Sequence, residues 1–208
     1  MRIESLKTTP DRAGRYWVTF SDGTKLGLYR QTVEDFGLYT GMEMTQEQFC
    51  ALQTAAGQMS AKMRAVRIVS ASGVSKRDLE QRLVQKGEDP VQAKEAVRWM
   101  AEMDLVDDRR TAEDVVRRCI SKGYGLTRAK QALYEKKIPR EFWEEALADY
   151  PDQLDKILEF LRSRLGDEPT DKDVRKAVDA LMRRGHKWQH IRQALTMLGE
   201  DTEEFPED

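Results

Sequence analysis

The sequence lacks most of what organises secreted, membrane-bound or catalytic proteins. It has only two cysteines in 208 residues, Cys50 and Cys119, far apart and outside any CxxC. A disulfide framework does not fit that spacing, and a reducing cytoplasm is the expected location. No run of some 18 apolar residues occurs, so no membrane span is expected. The opening residues MRIESLKTTP have no apolar stretch of signal-peptide type, which argues against secretion. Phosphate-binding GxxxxGK[ST] and GxGxxG loops are missing, and Gly123-Tyr124-Gly125 is too short to replace them. HExxH is missing as well. His186 and His190 stand four apart on an expected helix, but no carboxylate or thiol is placed to complete a metal site, and they read as solvated or capping side chains. Neither cysteine has a histidine near it in sequence. An enzyme is therefore disfavoured, and no cofactor or metal is expected.

Net charge is also nearly absent, at −2. That average conceals a segregated pattern. Residues 109–140 hold ten Lys/Arg against three acids. The last nine residues, EDTEEFPED, hold six acids and read as a disordered tail. Segregation of this kind lets a near-neutral chain present a basic face.

What the chain does have is repetition. Leu79, Leu83, Lys86, Ala96 and Val97 recur 50 residues later as Ala129, Leu133, Lys136, Ala146 and Leu147. They recur 48 residues beyond that as Ala177, Leu181, Arg184, Ala194 and Leu195. A period of this size predicts a supersecondary unit stacked in series, with neighbours supplying the core for one another. The fold class expected is mainly α: three tandem three-helix repeats in an elongated, curved array, after a small N-terminal subdomain containing a β-hairpin. Its segments are residues 1–57 (hairpin plus short helices), 60–106, 107–150 and 151–199 (three repeats) and 200–208 (acidic tail).

Local signals fill in this outline. Tyr16-Trp17-Val18-Thr19-Phe20 is β-prone, Asp22-Gly23 marks a turn, and Lys25 to Tyr29 completes a hairpin. Ile3 and Leu6 supply a third strand. Trp17 is the expected hairpin anchor. Thr45 to Gln48 resembles a capping box for a short helix ending near Ala56, and Gly57 to Ser60 reads as a hinge. In each repeat the first helix carries an i, i+3, i+4, i+7 stripe: Ala65, Ile68, Val69 and Ser72, then Ala112, Val115, Val116 and Cys119, then Leu154, Ile157, Leu158 and Leu161. On this stripe Cys119 is a core residue. Second helices start at Ser75, around Gly125 to Thr127, and at Asp173. They close at Lys86-Gly87, Lys136-Lys137 and Arg184-Gly185, since a last-turn cation followed by glycine suits a helix end. Third helices begin near Pro90, Pro139 and Trp188. Asp107 and Asp108 are placed to cap the helix that follows. Trp99, Trp143 and Trp188 fall at non-equivalent positions and read as packing residues.

The candidate binding residues are Arg110, Arg117, Arg118, Lys122, Tyr124, Arg128, Lys130, Lys136 and Lys137. Arg128 and Lys130 do not share a stripe, so only part of the set converges. Clustered cations suit a polyanion, because each neutralised phosphate releases counterions. They suit a carboxylate-lined protein groove equally well, and a solvated helical face is the bland alternative. Tyr124 is placed to stack on a base or to pack against a neighbouring repeat.

Three tandem three-helix units, with Leu105-Val106-Asp107-Asp108 leading into a basic helix and then Ser121-Lys122-Gly123-Tyr124-Gly125, resemble the RecX family of recombination regulators. Ser75-Lys76-Arg77-Asp78-Leu79 and Leu83-Val84-Gln85-Lys86-Gly87 are similar to its helix-two pattern. The likeness covers roughly residues 60–198. Two departures stand out. Asp104 occupies a place usually aromatic, and Lys137 replaces a glycine, which predicts a different end for that helix. The resemblance implies a cytoplasmic, non-enzymatic regulator of recombination, DNA repair and the SOS response. It implies binding in the groove of the RecA filament on single-stranded DNA, inhibition of ATP hydrolysis and strand exchange, and weak contact with single- or double-stranded DNA. The alternative is a stand-alone DNA-binding helical repeat protein, since three-helix units share their helix count with helix-turn-helix modules. A generic helical adaptor for another protein is a third reading. A monomer is expected, because terminal repeats need only polar outer faces.

Overall fold

The computed structural model describes residues 1–166 and 169–199. The expected acidic tail, 200–208, lies outside the described residues. The chain divides into two compact units between Asp107 and Asp108.

The first unit opens with an antiparallel sheet of β1 (Ile3–Leu6), β2 (Arg15–Phe20) and β3 (Lys25–Tyr29), in that order. Alternation in β2 sends Val18 and Phe20 inward, where they join Ile3, Leu28, Leu38, Met44, Phe49 and Leu52 in one core. The hairpin turns at Gly23, whose φ of +82° few other residues adopt without strain. Asp11 braces the approach to β2. Its carboxylate accepts from the Ala13 and Arg15 backbones and from Trp17 Nε1, 3.1 Å away. These bonds, led by the one from the Arg15 backbone, hold its pKa down at about 2.

After α1 (Arg30–Asp35) comes α2 (Gln46–Ala71). Thr45 and Gln48 form the expected capping box, each side chain bonded to the other's backbone N–H. The hinge expected at Gly57 to Ser60 does not exist. α2 runs unbroken through it for 26 residues. At Gly57 the Gln92 side chain of α4 (Pro90–Glu102) folds over α2. A Cβ at Gly57 would lie 2.3 Å from the Gln92 side chain. One helix thus serves two cores: Phe49 and Leu52 pack under the sheet, while Ala61 and Ala65 pack against α3 (Lys76–Gln85) and α4. Ser75 caps α3 and Asp89 caps α4, with Pro90 in the first turn.

The second unit holds two three-helix bundles. The middle bundle is α5 (Asp108–Ser121), α6 (Leu126–Glu135) and α7 (Trp143–Leu147), with a 3-10 turn at Arg140–Phe142 before α7. The C-terminal bundle is α8 (Leu154–Arg164), α9 (Asp171–Arg183) and α10 (Trp188–Leu198). Thr170, rather than Asp173, is the N-cap of α9, and Asp173 sits within its first turn.

Each bundle closes its own core, contrary to the expectation of a core shared between repeats. Leu79, Leu83 and Met100 anchor the first. Val116, Cys119, Ala129 and Leu133 anchor the middle one, and Ile157, Leu161, Leu181 and Ile191 the C-terminal one. The aromatic residues fill in around these cores. Trp99, Trp143 and Trp188 each pack on their own bundle, and Trp143 Nε1 donates to the Ile138 carbonyl at 3.0 Å.

The second helices of all three bundles end alike, which corrects the expectation for Lys137. Gly87, Lys137 and Gly185 all take positive φ, at +88°, +55° and +81°. In each case the next residue's N–H returns to a carbonyl five positions back: Glu88 to Leu83, Ile138 to Leu133, and His186 to Leu181. This is the left-handed helix terminus of the Schellman type. Lysine adopts it at a local cost of about 1 kcal/mol. Asp104 ends α4 in the same way, with φ +56°.

Candidate functional site

The residue after each left-handed turn is buried, and it does something different in each bundle. Glu88 turns back to α2, bonding Arg64 at 2.5 Å and Ser60 at 3.1 Å. Ile138 enters the middle core. His186 reaches into the neighbouring bundle, where its Nε2 lies 2.9 Å from the Gly123 carbonyl. A carbonyl only accepts, so Nε2 carries the proton. Burial pushes the His186 pKa below the usual imidazole value. Of the two expectations for this histidine, solvated or capping, the solvated one fails, because His186 is 5% exposed.

That bond belongs to a joint between the middle and C-terminal bundles. The Gly125 N–H donates to the Arg184 carbonyl at 2.9 Å. A Cβ on Gly125 would stand 2.0 Å from the Gly185 carbonyl oxygen, and one on Gly185 would stand 2.3 Å from the Arg128 nitrogen. Only hydrogen fits at either place. Gly123 completes the contact, its α-carbon lying against the Lys156 side chain of α8. The Lys122-Gly123-Tyr124-Gly125 segment is therefore a backbone-to-backbone coupling of two bundles. Tyr124 packs on the middle core of its own bundle, and its carbonyl accepts from the Tyr150 hydroxyl at 2.6 Å. Burial raises the Tyr150 pKa to about 12.

The cations of 109–140 divide by helix face. Arg110 and Arg117 are seven apart on the outer face of α5, and Arg117 pairs with Asp114 at 3.1 Å. Arg118 and Lys122, four apart, form a flank at the end of α5. Arg128 comes close to that flank: the charges of Arg128 and Lys122 both oppose the rise that burial imposes on the Cys119 pKa. Arg128 pairs with Glu135 at 2.8 Å. Lys130 is exposed two positions further round α6 and does not join this group. Lys136 and Lys137 are half-buried at the end of α6. Arg109 is bonded to Glu145. The stretch that is densest in positive charge along the chain is thus partly neutralised and dispersed in space.

The C-terminal bundle carries a second cationic feature, one that sequence composition alone does not reveal. In the C-terminal bundle the Arg184 guanidinium lies 4.4 Å from the Phe160 ring centroid, and that of Arg164 lies 5.6 Å from it. Beside them runs a groove of about 470 Å³ between α8 and α9, lined by Phe160, Arg164, Asp173, Lys176 and Arg183 over Ala177 and Ala180. The signal in the sequence is the 160, 164 and 176, 180, 183 spacing, which places these side chains on facing helix flanks.

Among the described residues, no three His, Cys, Asp or Glu side chains gather as a metal site, and no helix is long and apolar enough to cross a membrane. His190 faces Asp152 at 3.9 Å and stands apart from the His186 contact. Cys119 is buried in the middle core.

Fold and surface together define a class, the serial three-helix-bundle protein that carries its charge on helix faces. The model of the second three-helix domain of RecX matches residues 107–147. The regulatory protein RecX of Vibrio parahaemolyticus is 28% identical over 146 residues, covering 69% of this chain and 94% of the relative. That of Xanthomonas campestris pv. campestris is 34% identical over 130 residues, 61% of this chain and 80% of the relative. A crystal structure of regulatory protein RecX matches the fold with a TM-score of 0.61 at 21% identity, over 92% of this chain and 98% of that one. This chain belongs to the RecX family.

Proposed function

We propose that this protein regulates a RecA recombinase. It binds the RecA filament on single-stranded DNA and restrains its ATP hydrolysis and strand exchange. The observation that carries this reading is family membership, through relatives named as regulatory proteins and matched over most of their length. The joint at Gly125 and Gly185 supports a mechanism. Two bundles fixed backbone to backbone move as one body, so a filament that grips both must keep its subunits in a fixed relation. ATP turnover requires those subunits to rearrange, and a clamp across neighbours opposes that.

In this reading the cations of the middle bundle, Arg110, Arg117, Arg118, Lys122, Arg128 and Lys130, meet the filament, with Lys136 and Lys137 at the edge of the contact. Tyr124 acts through packing. The protein works in the cytoplasm, as a monomer, without a cofactor and not as an enzyme. The test reverses Arg117→Glu, Arg118→Glu, Lys122→Glu and Lys130→Glu together. Circular dichroism should keep its helical signal while inhibition of the RecA ATPase is lost. Unchanged inhibition by the folded variant would remove these cations from the mechanism.

A further inference from the structure

We infer that the groove between α8 and α9 is the phosphodiester-binding site of this chain, taking the backbone of a nucleic acid strand rather than a protein surface. The inference rests on the recombinase reading only in assuming that the protein works where DNA is present.

Four observations converge on the groove. First, the arginines in and beside it are uncommitted, while Lys176 is held by Asp173. Among the described residues, no carboxylate is paired with Arg164, Arg183 or Arg184, whereas Arg109, Arg117 and Arg128 of the middle bundle all have one. Second, the guanidinium carbons of Arg164 and Arg184 lie over the Phe160 ring, 5.6 and 4.4 Å from its centroid. A cation–π contact of this kind holds a guanidinium in place without consuming its N–H donors, which stay available to grip phosphate with two bonds. Third, the groove is extended. Its α9 wall runs from Asp173 to Arg183, about 15 Å at 1.5 Å per residue, with cations spaced along it. A ligand that repeats its charge every few ångströms matches this, and a folded protein surface does not. Fourth, the floor is Ala177 and Ala180, which leaves room for a sugar–phosphate chain. It offers no apolar pocket for the buried aromatic anchors that carry protein interfaces, and the Phe160 face is already covered by guanidinium. Asp173 is the one acid among the lining residues. It is occupied by the Thr170 hydroxyl at 2.6 Å and by Lys176 at 3.7 Å.

The flank of α8 that borders the groove also reaches the joint. Lys156, Phe160 and Arg164 lie four apart on one flank of α8, and Lys156 packs on Gly123 next to Lys122. A strand lying in the groove therefore passes towards the cationic edge of the middle bundle.

The test uses the full chain and fluorescent oligonucleotides without recombinase: a thymidine homopolymer and a duplex of equal length, titrated across salt concentrations. The variant Arg164→Gln/Arg183→Gln/Arg184→Gln should bind at least tenfold more weakly. Its salt slope should be shallower by about two, at roughly 0.7 per lost single-strand contact. Phe160→Leu, with every charge kept, should weaken binding severalfold and leave the slope unchanged. The substrate that loses more affinity identifies the source of the phosphates. Unchanged affinity and slope in the triple variant would overturn the proposal. So would displacement of the oligonucleotide by a glutamate-rich peptide at equal charge, which would make the groove a protein site. Recombinase inhibition is measured separately, so failure here is distinct from failure of the proposed function.

Discussion

Residues 109–140 and the α8–α9 groove are both cationic, and they are cationic in opposite ways. The first holds ten basic residues in 32, spreads them over several helix faces, and neutralises Arg109, Arg117 and Arg128 with nearby acids. The second lies in residues 160–184, where seven Lys/Arg against five acids leave a net charge of only +2, yet Phe160, Arg164, Lys176 and Arg183 line one groove with Arg184 over the Phe160 ring beside it. Charge per residue of sequence is thus a poor guide to charge per area of surface. Helix period and ion pairing decide how much of a charge run a partner can feel. The two regions nevertheless form one surface, because Gly125 and Gly185 hold their bundles in contact.

The largest effect should come from breaking one bundle and sparing the other. Leu181 is fully buried in the C-terminal core, so Leu181→Ala should cost about 2–5 kcal/mol. Amide hydrogen exchange should accelerate in α8–α10 before α5–α7. Equal loss of protection in both bundles would mean that they share a core after all. The next largest effect is on the joint. Gly125→Ala places a carbon 2.0 Å from a backbone oxygen and should cost about 1–3 kcal/mol, read as a lower denaturation midpoint. Gly87→Ala meets no atom within 4 Å and carries only the left-handed backbone penalty of about 1 kcal/mol. If the two substitutions cost the same, the joint is not tight.

The joint should also respond to pH. Burial lowers the His186 pKa in the folded state, so the unfolded chain binds the proton more readily. Its stabilisation is therefore present above the ordinary imidazole value of about 6.5 and is lost as pH falls below it towards the depressed folded value. His186→Gln keeps an N–H donor for Gly123 and cannot titrate. Its denaturation midpoint should fall less than that of the wild type between about pH 7 and 5, and parallel curves would contradict this. The smallest effect is at the end of α6. Lys137→Gly, at φ +55°, should stabilise by about 0.5–1 kcal/mol, visible as a rise of a few degrees in Tm. A fall in Tm would show that the lysine side chain contributes more than its backbone strain removes.

Much of the fold was legible because it is periodic. The stripes at Val115, Val116 and Cys119, and at Ile157, Leu158 and Leu161, are buried as helix spacing requires, and the β2–β3 hairpin follows from its Asp-Gly turn and alternating strand. What the sequence concealed were features that depend on a partner in space. Gly57 reads as a breaker, yet its missing side chain makes room for Gln92 inside a continuous helix. Lys137 reads as a different helix end, yet the turn geometry overrides the residue. His186 reads as a solvated or capping side chain, yet it is buried and its bond partner is 63 residues away. Gly123-Tyr124-Gly125 is visible as a motif, but its reason, a backbone contact of Gly125 with Gly185, lies in another repeat. The groove was missed for the same cause, since none of its residues is unusual alone.

The most direct test of the account is ATP hydrolysis by RecA on single-stranded DNA, titrated with this protein at less than one copy per recombinase subunit. The account predicts inhibition at that ratio, because a body that fixes neighbouring subunits stalls more than it touches. An unchanged rate, alongside salt-dependent binding to naked duplex, would contradict it and leave a DNA-binding bundle protein in place of a filament regulator.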